Sequence, residues 1–365
     1  RDFRGDTVHP STLQVMADLG VLDAFLERPH QKLRQLEGEI AGERVPVADF
    51  SHLPTAAQFL ALMPQWEFLD FLSGVGERYP EFDLRMKAEV TDLLRDGEGR
   101  VVGVEATTPD GTLRVRADLV LGADGRGSTV RERAGFEVES LGAPMDVLWM
   151  RLPRHDDDPE APLGQFGAGH VFVMLPRGEY YQCGYVIPKG GADALRAEGI
   201  EAFRQRVAEA APLLADRTDA IASWDEVKLL TVAVDRLVEW AAPGLLIIGD
   251  AAHAMSPIGG VGINLAIQDA VAAANHLWEP LRRGAPTLNE LRAVRERRLL
   301  AVRLVQRAQV FLQNRVIRPT LAGTGARRIP PVVRLLRWFP PLRRIPARLI
   351  GMGIRMERVQ SPDVH

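Results

Sequence analysis

The 365-residue chain is 46% hydrophobic and 25% charged, which excludes a disordered or low-complexity polymer and leaves room to enclose a ligand in one large or two modest domains. A single cysteine, Cys183, excludes an internal disulfide and a cysteine-based metal cluster and fits a reducing cytoplasmic setting, while no run approaches the ~18 apolar residues of a membrane span. The net charge of −3 conceals an asymmetry: residues 282–365 hold 19 Arg and 4 acids, so this tail carries +15 and the body −18.

Leu13, Val15, Met16 and Leu19 give helical spacing over 11–19, stopped by Gly20, and 21–26 repeats it in a short second turn. Alternation over 33–50, broken at Ala41-Gly42, predicts a hairpin, and 65–79 returns to helical spacing. Strands are predicted over 84–94, 101–107 and 112–115, the last two joined by a Pro109-Asp110-Gly111 turn into a meander. A second antiparallel group is predicted at 145–152, 170–175 and 180–187, closed by a helix near 200–210. Residues 244–248 form the continuous apolar run of a buried parallel strand and feed a helix over 262–281. Thr287 three residues before Glu290 is a capping-box start for a helix running to about Arg318. The tail beyond is rich in Pro and Arg; docking on the acidic body accounts for its charge better than nucleic acid or a membrane surface does.

Two segments carry chemistry. Residues 118–131 form an apolar strand that ends in Asp124-Gly125 and opens a helix, with Arg126 and Arg131 close by. Glycine admits a close backbone approach, and free amides at a helix start favour anions; the same residues also suit a plain strand-turn-helix cap. Residues 249–264 follow the second buried strand and run Gly-Asp-Ala-Ala-His-Ala-Met-Ser-Pro-Ile-Gly-Gly-Val-Gly-Ile-Asn. Their small side chains let a flat group lie on the backbone, and a carboxylate at the strand end accepts hydrogen bonds from sugar-like hydroxyls. His253, within this run, is weighted toward a structural role, since a lone histidine is no evidence of proton transfer.

Together, in this order, these motifs resemble the class A FAD-dependent monooxygenases related to para-hydroxybenzoate hydroxylase. The resemblance implies that Asp250 binds the ribityl chain of FAD, that the amides of Gly262 and Ile263 face the pyrimidine edge with Asn264 beside them, and that Pro257 lies near flavin and substrate. It further implies that Asp124 and Gly125 act around the pyrophosphate and nicotinamide, that Arg4 reaches the FAD phosphates, and that Gln65 contacts the flavin side chain. Phe172, Met174, Tyr181 and Tyr185, on predicted strands, are candidates for the pocket wall as well as for plain core.

The implied fold is α/β with an α+β insert. A Rossmann-like FAD-binding domain would comprise 1–140 and 236–285, an antiparallel substrate sheet about 40–62 and 141–235, and a basic helical segment 286–365. The implied reaction is hydroxylation of an aromatic, other unsaturated or lipophilic small molecule through a flavin C4a-hydroperoxide, with NADPH or NADH as reductant and molecular oxygen as co-substrate. No Gly-x-Gly-x-x-Gly occurs; the resemblance would place that loop, in a βαβ unit of roughly 30 residues, before Arg4, and implies weak FAD binding or none without it. A reductase on the same fold and a non-catalytic binding protein remain open alternatives, whereas the Trp-x-Trp-x-Ile-Pro motif of flavin-dependent halogenases is absent. Oligomeric state is left open.

Overall fold

The computed structural model describes residues 7–40, 43–160, 162–167, 169–323 and 331–362. Its organising element is a pair of short parallel strands, Val120–Gly122 and Leu245–Ile247, with Gly122 opposite Ile247 and Ala241–Ala242 added antiparallel at the edge. Leu245, Leu246 and Ile247 are fully buried, as expected of a strand covered on both faces. The helices Gly262–Arg283 and Leu288–Leu312 pack together on one side, placing Ala272, Leu277, Leu291, Val294 and Val302 in the same core. The predicted capping box is formed: Thr287 Oγ1 accepts from the Glu290 amide while the Glu290 carboxylate accepts from the Thr287 amide. The helical path then continues through a π turn, Gln313–Ile317, to Leu321.

The meander Glu89–Arg95, Val101–Thr108 and Gly111–Arg116 packs against this layer. The predicted first strand begins five residues too early, because Leu84 and Met86 are exposed and Lys87 takes a left-handed φ of 57°. The helix Pro10–Asp18 buries its first seven residues beneath a small sheet of Thr7–Val8, Leu60–Leu62 and Gln31–Leu33.

Among the described residues a seven-stranded sheet runs in the order Lys228–Leu230, Met145–Pro153, Tyr180–Pro188, His170–Arg177, Leu163–Gly167, Gln35–Ile40, Glu43–Asp49. The predicted hairpin 33–50 therefore forms one edge of it. The strand Leu163–Gly167 escaped the sequence reading because its two glycines and single large aromatic show no clear alternation. Period two then divides the sheet into faces. Leu148, Met150, Phe172, Met174, Tyr181, Cys183 and Tyr185 point toward the helix Ile200–Ala210, whereas Val147, Trp149, Val171 and Val186 point the opposite way, toward Ile258 and Ile317.

Much of the basic tail is docked on the acidic body. Arg292 and Arg295 reach Glu239, Arg298 reaches Asp269, Arg337 pairs with Glu43, and Arg358 grips Asp18 through both carboxylate oxygens. No helix among the described residues is long and apolar enough to cross a membrane.

Candidate functional site

The two motifs lie at the same end of the sheet, each at the carboxyl end of one of the paired parallel strands, where open α/β sheets bind ligands. After Ile247 the chain makes a single turn, Gly249–Ala251, whose first residue has φ 61°. A side chain there would be strained, and its Cβ would sit 3.0 Å from that of Ala266. Asp250 follows, partly exposed, in contrast to the buried Ala251 to Met255.

The next loop turns on Gly259 (φ 80°) and Gly260 (φ 60°) and opens the long helix at Gly262. That helix has no side-chain cap, so its first amides are free to serve another acceptor. A Cβ on Gly262 would lie 3.7 Å from Asp250 Oδ1, which places the carboxylate beside the helix start. Pro257 to Ile263 are partly or fully open to solvent. The result is a cradle of backbone with one carboxylate at its rim.

Arg126 ties the motifs together: Nε donates to Asp250 Oδ2 (3.2 Å) and Nη2 to the Met255 carbonyl (2.8 Å), while Nη1 is buried without a partner. The sequence flagged Arg126 only as positive charge near an anion; its long-range pairing with Asp250 has no signature in one chain. Arg131 in turn holds the Arg126 carbonyl (2.7 Å). Asp124 acts as a cap, its carboxylate accepting from Ser128 Oγ (2.5 Å) and from the Val130 amide (3.0 Å). Gly125 beside it has φ 86° and open space around it.

Asn264 spends its side chain inside the protein. Its Oδ1 accepts from the His9 amide (2.9 Å) and Thr12 Oγ1 (2.7 Å), and its Nδ2 donates to the carbonyls of Thr7 (3.0 Å) and Gly260 (3.1 Å). It thus pins the glycine loop to the chain entering Pro10–Asp18. His9 stands behind that loop, fully buried, with Nδ1 2.7 Å from the Ile350 carbonyl; desolvation lowers its pKa to about 4, so it is neutral. Gln65 begins its helix half-buried, at the end of the small sheet that contains Thr7. Arg4 lies outside the described residues.

His253 is 1% exposed, and its Nε2 lies 2.5 Å from Asp269, so it belongs to the support beneath the turn. The four candidate wall residues on the large sheet come together, but not at the cradle. Phe172, Met174, Tyr181 and Tyr185 fill the core under the helix Ile200–Ala210, because their register parity puts them on the far face. The face toward the cradle carries Val147, Trp149, Val171, Val186 and Phe166, which share an apolar cluster with Ile258. There Trp149 lies over Gly184, whose Cβ would come 3.1 Å from the indole, and the Trp149 Nε1 is buried without a partner. A separate cavity of about 540 Å³ between Leu141–Pro144 and Val310–Ala322 contains no residue of either motif.

The donor set suits FAD: free helix-start amides, a rim carboxylate for hydroxyls, an arginine with an unused N–H, and glycine positions that admit a flat group. Residues 1–308 match the family described as FAD binding domain. The chain is 34% identical over 363 residues to 6-methylpretetramide 4-monooxygenase of Streptomyces rimosus, covering 99% of this chain and 86% of that protein. It is 30% identical over 282 residues to a ubiquinone hydroxylase of Rhodospirillum rubrum, covering 71% and 61% of the two chains. The solved anhydrotetracycline hydroxylase OxyS from Streptomyces rimosus superposes with a TM-score of 0.71 at 25% identity, covering 97% of this chain and 69% of that one.

Proposed function

The chain belongs to the FAD binding domain family and is a FAD-dependent hydroxylating monooxygenase, and on that premise we propose that it oxygenates a fused-ring phenolic substrate, consuming NADPH or NADH and molecular oxygen. The chemistry supplied when FAD is bound is activation of oxygen at the expense of the nicotinamide. The residues of this chain bind, orient and exclude water.

Asp250 accepts from ribityl hydroxyls, the amides of Gly262 and Ile263 stabilise negative charge on the ring edge, and Arg126 holds Asp250 in place while offering Nη1 to an anion. Asn264 keeps the loop in register through its four internal hydrogen bonds. Pro257 and Ile258 form the edge between cradle and sheet. Asp124 and Gly125 serve the pyrophosphate and nicotinamide side through the backbone, since the Asp124 carboxylate is engaged in capping.

The substrate lies on the apolar sheet face of Val147, Trp149, Val171 and Val186, which suits an extended ring system, and the Trp149 N–H meets a substrate oxygen. The observation that carries the substrate class is the near end-to-end similarity to a 6-methylpretetramide monooxygenase.

The test uses the protein expressed from its complete reading frame. A flavin absorption spectrum that bleaches with NADPH or NADH, and NADPH consumption in air stimulated by an anhydrotetracycline-type phenol that gains one atom from labelled oxygen gas, would bear the reading out. Flavin reduction without oxygen incorporation into any phenol tried would favour a reductase instead.

A further inference from the structure

Residues 334–349 invert the usual pattern of a docked helix. In the helix Arg344–Gly351 the buried positions are Ala347 and Gly351, and a Cβ on Gly351 would meet Leu53 and Phe50 beneath it. At 100° per residue, Ile345 and Leu349 fall on the opposite side, and both are exposed. A surface helix ordinarily turns charge outward; this one turns aliphatic side chains outward, with Arg344 and Arg348 along one side of them. In the preceding helix, Pro331–Trp338, Leu335 and Trp338 are exposed, Trp338 to 80%, and Phe339 continues the surface at 61%.

Three of the cations here are left without an acidic partner among the described residues. Arg337 pairs with Glu43, and Arg343 donates to the carbonyls of Leu336 and Arg337, which fastens the turn to the helix before it. Arg334, Arg344 and Arg348 are exposed and have no acidic partner among the described residues, as is also true of Arg303, Arg307 and Arg318; here, however, they stand beside exposed Leu335, Trp338, Phe339, Ile345 and Leu349.

We propose that this patch, on the helices covering the outer strand Glu43–Asp49 of the large sheet, docks the protein on an anionic lipid surface. Amphipathic aromatics, outward aliphatics and unpaired arginines within one short segment are the chemistry of an interfacial anchor. A symmetric dimer through the same patch would set Arg344 and Arg348 against their own copies or close to them, which charge repulsion opposes. This inference is independent of the substrate reading above.

The full-length protein would be centrifuged with phosphatidylcholine vesicles with and without phosphatidylglycerol. Binding is expected on the anionic vesicles alone, weakened by salt, and reduced about 30-fold in R344Q/R348Q, since each surface cation near an anionic membrane contributes about fivefold. W338S/F339S should abolish it while the circular dichroism spectrum is kept. Failure to bind anionic vesicles overturns the proposal, as does binding indifferent to lipid charge, or a dimer in solution that W338S/F339S dissolves.

Discussion

Asp269 Oδ2 lies 2.5 Å from His253 Nε2, both side chains essentially without solvent contact, and the same oxygen accepts the amide of Gly249 at 3.1 Å. The other carboxylate oxygen takes Arg298 Nε at 2.8 Å, and Arg298 reaches Glu357 near the C-terminus. A carboxylate on the long helix thereby fixes the turn that carries Asp250. Removing it leaves the buried Arg298 guanidinium with Glu357 as its remaining carboxylate and frees the Gly249 amide, so Asp269→Ala should cost about 3–5 kcal/mol in urea unfolding. Asp269→Asn, which can still accept from Gly249, should cost less. Equal losses would mean that the hydrogen bond to Gly249 carries nothing beyond the charge. Burial raises the Asp269 pKa, but His253 and Arg298 together lower it further, leaving it below the ordinary carboxylate value. Its contribution is therefore present above that value and lost as pH falls below it.

His9 gives a second, separate acid response. Its pKa is lowered to about 4 from 6.5, chiefly by desolvation. The unfolded chain thus takes up a proton between pH 6.5 and 4 that the folded chain refuses, and stability falls as pH drops through that window. Between pH 7 and 5 the loss from this group should be about 2 kcal/mol. His9→Asn, with an amide to donate to the Ile350 carbonyl, should flatten the decline in unfolding midpoint between those two pH values. An undiminished slope in the variant would assign the acid response to other groups.

The contrast between these two residues shows what the sequence could and could not disclose. The Gly-Asp strand, the capping box at Thr287 and the helix over 262–281 were legible because each rests on local chemistry: an apolar run, a Thr–Glu spacing, a 3.6-residue period. Asp250, Gly262 and Asn264 were singled out through a motif, yet the motif did not disclose that Asn264 faces inward to Thr7 and His9, more than 250 residues away in sequence. The four wall candidates lie away from the cradle for a geometric reason. Alternation states that neighbouring strand residues face opposite ways, but which parity meets the cradle depends on whether the helix Ile200–Ala210 or Ile258 covers that face. Phe172 and Tyr185 have the parity of the helix-covered face, and Trp149, passed over in sequence, has that of the face toward Ile258.

Asp250→Ala tests the cradle. The variant removes a half-exposed acceptor and releases Arg126 Nε, leaving backbone and core intact. A lost hydrogen bond to a charged group corresponds to roughly 10- to 100-fold in affinity. FAD affinity by fluorescence titration of the full-length protein should fall by about that much, with an unfolding midpoint close to the parent's. Unchanged affinity would remove Asp250 from the cofactor site. A collapse of stability would instead make it a structural partner of Arg126.

On the sheet face the decisive pair is Trp149 and Gly184. The indole lies across a position with no side chain, and its N–H has no partner in the protein. Trp149→Phe keeps an aromatic ring and deletes the donor, so KM for a phenolic substrate should rise by about 2- to 13-fold, the worth of one neutral hydrogen bond, with kcat little changed. Gly184→Ala places a methyl 3.1 Å from the ring and forces the indole outward. It should raise KM as well and increase the fraction of NADPH oxidised without product, because a misplaced substrate excludes water less completely. If both variants leave KM and coupling at parental values, this face of the sheet does not carry the substrate, and the search moves to the cavity beside Lys189 and Arg318.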